Sequence, residues 1–173
     1  LSDTIFGPDQ VLSRAEAAVV LCRLEGLAPV SSGAPSFSDL KGHWAAGPVK
    51  ALYEAGIVTG ITDTTFGPDS TMRRCDFVLM LYRAAGQPQV SAASGFTDVP
   101  ADAYYANAVT WAKAEGITTG TSDTTFSPDA TLTRQEGFTF LYRAFGSLGV
   151  VYDVGDVTLL EGYSDGAAVA DWA

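Results

Sequence analysis

The sequence has few of the residues that disulfide frameworks and metal sites require. It contains two cysteines, Cys22 and Cys75, and a single histidine, His43. Two cysteines are too few for a disulfide framework, and neither lies in a CxxC motif or at a Cys/His spacing typical of zinc sites. We therefore expect two free thiols on helices, no metal site and no cofactor.

Charged residues are also scarce, and acidic ones outnumber basic ones. Only 17% of the residues are charged, and 10 basic against 20 acidic residues give a net charge of −10. Because such a chain repels nucleic acid and anionic membranes, we expect it to bind neither. No apolar run approaches the ~20 residues that span a bilayer, so membrane insertion is not expected. A chain that begins at Leu1 rather than Met is expected to be a processed product or a fragment.

The sequence does contain a tandem repeat. A block of about two dozen positions occurs three times without gaps, at a spacing of sixty residues. A second block precedes the later two copies, as FSDLKGHWAAGPVKALYEAGIVTG (37–60) and FTDVPADAYYANAVTWAKAEGITTG (96–120). Its opening returns at the C-terminus as YSDGAAVADWA (163–173). The chain therefore starts inside one repeat, runs through two whole ones and enters a fourth.

These blocks predict the organisation of the domain. The segments are the second half of a first repeat (1–26), a second repeat (37–86), a third repeat (96–146), an apolar connector that allows a short strand (147–162), and the start of a fourth or ring-closing repeat (163–173). Each whole repeat predicts a helix, a loop rich in Gly, Asp, Thr and Pro, and a second helix. One helical hairpin cannot bury its apolar stripe alone, so the repeats must share a core. We predict an all-α fold whose three second helices form a pseudo-threefold bundle.

The second repeat resembles an S-layer homology (SLH) repeat. The resemblance rests on the opening FSD or FTD, the aromatic start of the first helix, the loops GITDTTFGPD and GTSDTTFSPD, and the SRAE and TRQE starts of second helices. With part-copies it covers nearly the whole chain. It implies a three-pronged, pseudo-trimeric α-helical domain at the bacterial cell surface, cell wall or S-layer. Such domains anchor proteins to cell-wall-linked glycans, commonly polymers bearing pyruvate ketals, in grooves between repeats where the motif's arginine is prominent.

One arginine recurs at the start of every second helix, as Arg14, Arg74 and Arg134. A cation in a helix's first turn opposes the helix dipole. An arginine beside free helix N–H groups would receive a carboxylate or phosphate. The alternative is an ion pair with a loop aspartate, Asp9, Asp69 or Asp129. The residues alone leave both open, and the resemblance favours the ligand; replacing Arg14 or Arg134 with Ala is then expected to weaken binding without lowering the melting temperature.

Other positions near these arginines are further candidates. Glu16 and Glu136 fit capping boxes, whereas the middle copy has Arg73 in place of the capping hydroxyl and a shorter Asp76, so its groove is expected to be altered or idle. Matching aromatic residues at first-helix starts would stack on a sugar or wedge the repeats: Trp44, Tyr105 and Trp172. Gly60 and Gly120 would let backbone approach a ligand or supply a turn with positive φ. The expected ligand-binding set is Arg14, Glu16, Trp44, Gly60, Arg74, Asp76, Tyr105, Gly120, Arg134, Glu136 and Trp172.

Three functions can be compared at this point. The resemblance implies non-covalent anchoring of a surface protein to an anionic, pyruvylated cell-wall polysaccharide. A structural alternative is an S-layer or filament subunit that assembles with other copies of itself by exchanging half-repeats. We expect no enzymatic activity, because the acidic residues recur in similar environments, whereas an acid/base pair needs unlike ones. We assign no function to Arg23, Arg83 and Arg143 in the last turns of second helices, where dipole and carbonyl contacts suffice.

Overall fold

The fold is all-α. The structure, a computed structural model, describes residues 4–31, 37–151 and 157–173. It has five α-helices: α1 (Arg14–Leu24), α2 (Ala46–Glu54), α3 (Arg74–Ala84), α4 (Ala106–Ala114) and α5 (Arg134–Ala144). Short 3₁₀ helices span Ser38–Leu40, Val157–Gly162 and Gly166–Ala168. Within the described ranges there is no β-strand, and no helix there is long and apolar enough to cross a bilayer.

The connector differs from the sequence prediction. Residues 157–162 form a 3₁₀ helix rather than a strand, and 147–151 are turn and irregular backbone. The rest of the connector, 152–156, lies outside the described residues, so the predicted strand has no counterpart in the described part. The division of the chain into five segments stays a prediction.

The second helices α1, α3 and α5 start where the repeat motif predicts, but not in the same way. Ser13 caps α1 and Thr133 caps α5, and in each case the glutamate three residues later accepts a hydrogen bond from the cap's backbone N–H. Arg73 precedes α3 and makes no side-chain cap. The loss of the capping box in the middle repeat is therefore confirmed, because an arginine has no acceptor atom.

A cycle of backbone contacts joins the three segments that precede these helices. The N–H of Leu12 donates to the carbonyl of Leu132, Leu132 to Met72, and Met72 to Leu12, at 2.9, 2.8 and 2.8 Å. All three side chains are buried. Because each segment contacts both others, the three copies of the repeat meet at one central point.

At the same junction, backbone carbonyls accept hydrogen bonds from the N-termini of the second helices. The N–H of Arg14 donates to the carbonyl of Ser70, Arg74 to Ala130, and Arg134 to Gln10, at 2.9, 3.0 and 2.8 Å. The next N–H in each helix donates to a proline carbonyl, at Pro68, Pro128 and Pro8. The expectation that the arginines stand beside free helix N–H groups is therefore wrong, because carbonyls of another repeat accept from these donors.

Helix pairing crosses the connectors between repeats. The most extensive helix–helix contacts join α1 to α2 and α3 to α4, so the first helix of each whole repeat packs on the second helix of the preceding repeat. Phe66 and Phe126 of the loops are fully buried in the core. Cys22 and Cys75 are free and buried, which confirms the prediction of unpaired thiols on helices.

One carboxylate from each first block holds the loop of a second block. Asp39 accepts hydrogen bonds from the N–H groups of Phe66 and Gly67 at 3.0 and 2.7 Å. Asp98 binds the loop at Phe126 in the same way. At the C-terminus, Asp165 accepts from the N–H groups of Phe6 and Gly7 at 2.8 and 2.7 Å. The C-terminal segment thus supplies the N-terminal half-repeat with the contact that it lacks in sequence order, and the ring of repeats closes within one chain.

Candidate functional site

Two grooves of similar size and composition lie between neighbouring repeats. Groove 1 contains Arg14, Gly60, Asp76 and Tyr104 and has a volume of about 330 Å³. Groove 2 contains Arg74, Gly120, Glu136 and Trp172 and has a volume of about 360 Å³. Each groove therefore combines a guanidinium, a glycine of the loop, a carboxylate and an aromatic side chain, taken from elements on both sides of a repeat boundary.

The groove arginines are held by the next repeat. Only 7% of Arg14 and 3% of Arg74 is exposed. The Nε–H of Arg14 donates to the carbonyl of Phe66 at 3.1 Å, and that of Arg74 to the carbonyl of Phe126 at 3.0 Å. Each guanidinium also lies over the ring of that phenylalanine, at 4.7 and 5.1 Å from its centre. These contacts hold the arginines in place, and they argue against the expectation that replacing Arg14 would leave stability unchanged.

Burial and neighbouring carboxylates shift the pKa of these arginines in opposite directions. Burial lowers the pKa of both Arg14 and Arg74, while Asp76 raises that of Arg14 and Glu136 raises that of Arg74. An arginine remains protonated in either case. Each groove thus has a buried positive charge at its base that loop carbonyls and one carboxylate partly balance.

The alternative partners proposed for the arginines, the loop aspartates, pair elsewhere. Asp69 lies 3.5 Å from Nε2 of His43, and Asp129 lies 2.9 Å from Nη1 of Arg73. Asp9 accepts a hydrogen bond from the side-chain amide of Gln135. The carboxylates that approach Arg14 and Arg74 are instead those of the second helices, Asp76 at 3.9 Å and Glu136 at 2.7 Å.

The aromatic position at the groove is Tyr104 rather than Tyr105. Tyr104 and Trp172 are 59% and 53% exposed, whereas Tyr105 is 9% exposed and faces the core. The segment from Phe96 to Val109 has one residue more than that from Phe37 to Val49. The extra residue falls in the turn before α4, so Trp44 and Tyr104 each stand two residues before their helix. The repeat spacing of sixty residues also matches Trp44 with Tyr104, so the predicted Tyr105 lies one residue too far along the chain.

The two groove glycines are required by their own loops. A Cβ on Gly60 would lie 2.2 Å from the carbonyl oxygen of Thr62, and one on Gly120 would lie 2.5 Å from that of Ser122. Gly120 also has φ +89°. The turn is a sufficient reason for glycine at both positions, although both also line the grooves.

Sequence reasoning missed the arginines at the ends of the second helices. Arg83 lines groove 1 and Arg143 lines groove 2, although we assigned neither a function. A helical signal existed, because Asp76, Met80 and Arg83 have the spacing of residues on one helix face. Threonines of the loops also line the grooves, notably Thr59, Thr118 and Thr119.

Besides Tyr105, three predicted ligand residues line neither groove. The carboxylate of Glu16 caps α1 by accepting from the N–H of Ser13. The Nε–H of Arg134 donates to the carbonyl of Phe6 at 2.8 Å, and its guanidinium lies over the rings of Phe6 and Phe138. Trp44 is 62% exposed and stacks against His43. The structure therefore brings the predicted set together at two of its three repeats.

Comparison with known proteins adds a family to this geometry. Residues 36–78 and 95–136 match the S-layer homology domain. The chain is 32% identical to a cellulosome-anchoring protein of Acetivibrio thermocellus over 88% of its own length and 37% of that protein. It is 32% identical to the surface-layer 125 kDa protein of Lysinibacillus sphaericus, over 85% of the chain and 12% of that protein. It is 31% identical to an amylopullulanase of Thermoanaerobacterium thermosulfurigenes, over 80% of the chain and 7% of that protein.

The chain thus spans between 7% and 37% of these relatives. The shared part is the repeat region, and the relatives that contain it are named as an anchoring protein, a surface-layer protein and an enzyme. With SLH domains at residues 36–78 and 95–136, this chain belongs to the S-layer homology family of bacterial cell-surface proteins.

Proposed function

We propose that this chain anchors a surface protein non-covalently to the bacterial cell wall by binding an anionic, pyruvylated wall polysaccharide in its inter-repeat grooves. SLH domains anchor surface proteins to the cell wall, and relatives include anchoring and surface-layer proteins. In this proposal, the repeats act as a three-pronged bundle with grooves 1 and 2 as ligand sites. The absence of enzymatic activity in the chain itself stays a prediction.

The observation that carries the proposal is the repeated composition of the two grooves. A guanidinium offers a fork of donors to a carboxylate such as that of a pyruvate ketal. Threonine hydroxyls, loop carbonyls and the groove carboxylate offer partners to sugar hydroxyls. A half-exposed ring, Tyr104 or Trp172, gives an apolar face against which a sugar ring can pack. Volumes of about 330 and 360 Å³ suit one or two sugar units rather than a long chain.

Binding to purified cell-wall sacculi tests the proposal. The chain should sediment with sacculi and remain in solution after their secondary polymers are chemically removed. Because charge contacts at an open groove are screened, the bound fraction should fall as salt is added. Binding that persists after polymer removal would contradict the proposal. Binding that does not depend on salt would indicate that ring stacking, rather than the arginines, recognises the glycan.

A substitution of an exposed side chain, which should leave the fold intact, tests the groove itself. Trp172→Ala removes an exposed ring of groove 2, and Trp44→Ala removes an exposed ring that lines neither groove. We expect Trp172→Ala to reduce sacculus binding by about tenfold, the value of one stacked aromatic contact, and Trp44→Ala to leave it nearly unchanged. Equal effects of the two substitutions would show that the aromatic side chains act outside the grooves.

A further inference from the structure

The two grooves differ at the residue before α3, where Arg73 replaces a capping hydroxyl. Its guanidinium reaches across groove 1 rather than capping the helix. The Nε–H donates to Oδ2 of Asp76 at 3.0 Å, and Nη2 donates to Oδ1 of Asp76 at 3.3 Å and to the hydroxyl of Tyr104 at 2.7 Å. Nη1 donates to Asp129 at 2.9 Å. Four of the guanidinium's five N–H donors are thus used within the protein.

Tyr104 completes a connection between the two walls of groove 1. Its hydroxyl donates to Oδ1 of Asp76 at 2.6 Å while accepting from Arg73. Burial and this hydrogen bond to Asp76 raise the pKa of Tyr104, so the hydroxyl stays protonated and available as a donor. Because Asp76 lies on α3 and Tyr104 lies just before α4, the triad ties the ring of the next repeat to the wall of the groove. We call Arg73, Asp76 and Tyr104 the latch.

Groove 2 has no such connection, because its own residues differ at the same positions. Thr133 precedes α5 and caps it, and Glu136 contacts Arg74 directly at 2.7 Å. In groove 1 the shorter Asp76 is drawn to Arg73, and it lies 3.9 Å from Arg14. The carboxylate and the aromatic ring of groove 1 are therefore engaged with each other, whereas Trp172 has no hydroxyl with which to form this contact.

We propose that the latch makes the two grooves unequal, so that the wall glycan binds groove 2 first and groove 1 only after Arg73 releases Asp76 and Tyr104. Arg73 is then a positioning residue that sets which groove takes the ligand. This inference rests on the proposed function, and it adds an order of occupancy to it. A ligand entering groove 1 must break hydrogen bonds of the latch, which weakens binding there by about tenfold for a net loss of one charge-assisted bond.

Removing Arg73 would change the affinity of groove 1 in opposite directions if Arg73 holds the latch and if it attracts the glycan by its charge. If Arg73 attracted an anionic glycan directly, its removal would weaken binding in groove 1. If it holds the latch, Arg73→Thr strengthens binding there despite the loss of a positive charge. Thr also restores the hydroxyl found before α5, and Arg73→Thr with Asp76→Glu gives the middle repeat the third repeat's residues at these positions.

Titration by ¹⁵N NMR with a methyl hexoside carrying a 4,6-linked pyruvate ketal separates the grooves. The amides of Thr59–Ile61 report groove 1 and those of Thr118–Thr121 report groove 2. In the unaltered chain we expect groove 2 to saturate at about tenfold lower ligand concentration than groove 1. Arg73→Thr should raise the affinity of groove 1 close to that of groove 2, and the double substitution should do the same. Arg73→Lys should also open the groove, since Lys lacks the fork that holds two partners. Arg23→Thr, an equal loss of charge at an exposed residue outside both grooves, should change neither.

A second measurement tests whether the latch is closed or open in the absence of glycan. The thiol of Cys75 lies 3.6 Å from the hydroxyl of Tyr104. Burial raises the pKa of the Cys75 thiol to about 11. Opening the latch should uncover this thiol, so alkylation of Cys75 by iodoacetamide should be at least about tenfold faster in Arg73→Thr, with the buried Cys22 as internal reference.

The outcomes separate the inference from the proposed function. Equal affinity of both grooves in the unaltered chain, weaker binding of groove 1 in Arg73→Thr, or an unchanged rate at Cys75 would each overturn the latch while leaving glycan anchoring intact. If neither groove responds to the ketal in any variant, and sacculi also fail to bind, the proposed function fails and the occupancy order fails with it.

Discussion

At the scale of single residues, the recurring arginine is a structural residue as well as a candidate ligand. Arg14 donates to the carbonyls of Phe66 and Thr59 and stacks on the ring of Phe66. Nothing in the sequence around Arg14 indicates these partners, because they belong to another repeat 45 and 52 residues away. The cost of a cation at a helix start is offset by contacts that only the assembled ring provides.

Replacing Arg14 should therefore destabilise the fold. Arg14→Ala leaves the buried carbonyl of Phe66 without its donor and removes the cation–π contact, at a combined cost of about 3 kcal/mol in the free energy of unfolding. Arg23→Ala, at an exposed position of the same helix, should cost less than ~0.5 kcal/mol. Urea denaturation followed by circular dichroism gives both values. Equal stability of the two variants would contradict the structural role and restore the expectation drawn from the sequence.

At the scale of elements, the sequence predicted the helices well because their signals are local. The second helices begin directly after Ser13, Arg73 and Thr133, as the repeat motif indicates. Gly86 follows the end of α3 with φ +78°, as expected for a glycine that ends a helix. What the sequence could not give is the partner of each helix end. The carbonyls that fill the helix N-termini come from loops of another repeat, so a reading of one repeat at a time left those N–H groups free.

The groove residues divide along the same line. The loop glycines, Arg14, Arg74 and the second-helix carboxylates were found because they recur at a fixed spacing. Tyr104 was missed although it lies sixty residues after Trp44, because the neighbouring Tyr105 is also aromatic and the sequence does not show which ring faces the groove. Arg134, Glu16 and Trp44 recur just as regularly, yet they line neither groove described here. Periodicity identifies equivalent positions, but the neighbours that make a groove come from three different segments of the chain.

The loop between first and second helices gives a prediction about pH. Although burial opposes ionisation of Asp39, hydrogen bonds from the N–H groups of Phe66 and Gly67 lower its pKa. The folded state therefore binds this proton less readily than the unfolded state, so Asp39 contributes stability above the unfolded pKa of about 4, and that contribution is lost as the pH falls through the folded pKa.

Thermal melts of Asp39→Asn between pH 7 and pH 3 check this contribution. The variant should melt at a lower temperature than the unaltered chain at pH 7, and the difference should shrink toward pH 3. Asp63→Asn, an exposed carboxylate in the same loop, is the matched control and should follow the unaltered chain. A difference that stays constant with pH would mean that Asp39 acts through shape rather than charge.

At the scale of the whole molecule, the ring closes through its C-terminal segment. Asp165 holds the loop at Phe6 and Gly7, the N–H and hydroxyl of Ser164 donate to the carbonyl of Thr4, and the ring of Tyr163 packs on Phe6. These are the same contacts that Asp39 and Ser38 make within the second repeat. Assembly by exchange of half-repeats would have to replace these contacts with equivalent ones from a second copy.

The closure predicts how the molecule responds when its last segment is removed. Deleting 163–173 should take Trp172 out of groove 2 and release the amides of Phe6 and Gly7, whose acceptor is Asp165. We expect faster hydrogen exchange at residues 6–7, with the amides of Phe66 and Gly67 as unchanged references because Asp39 remains. Sacculus binding should fall, since groove 2 loses its ring. Sedimentation velocity over a hundredfold concentration range distinguishes the structural alternative: the unaltered chain should remain monomeric throughout, whereas self-association that appears in it and fades on deletion would show that the C-terminal segment is exchanged between copies instead of closing its own ring.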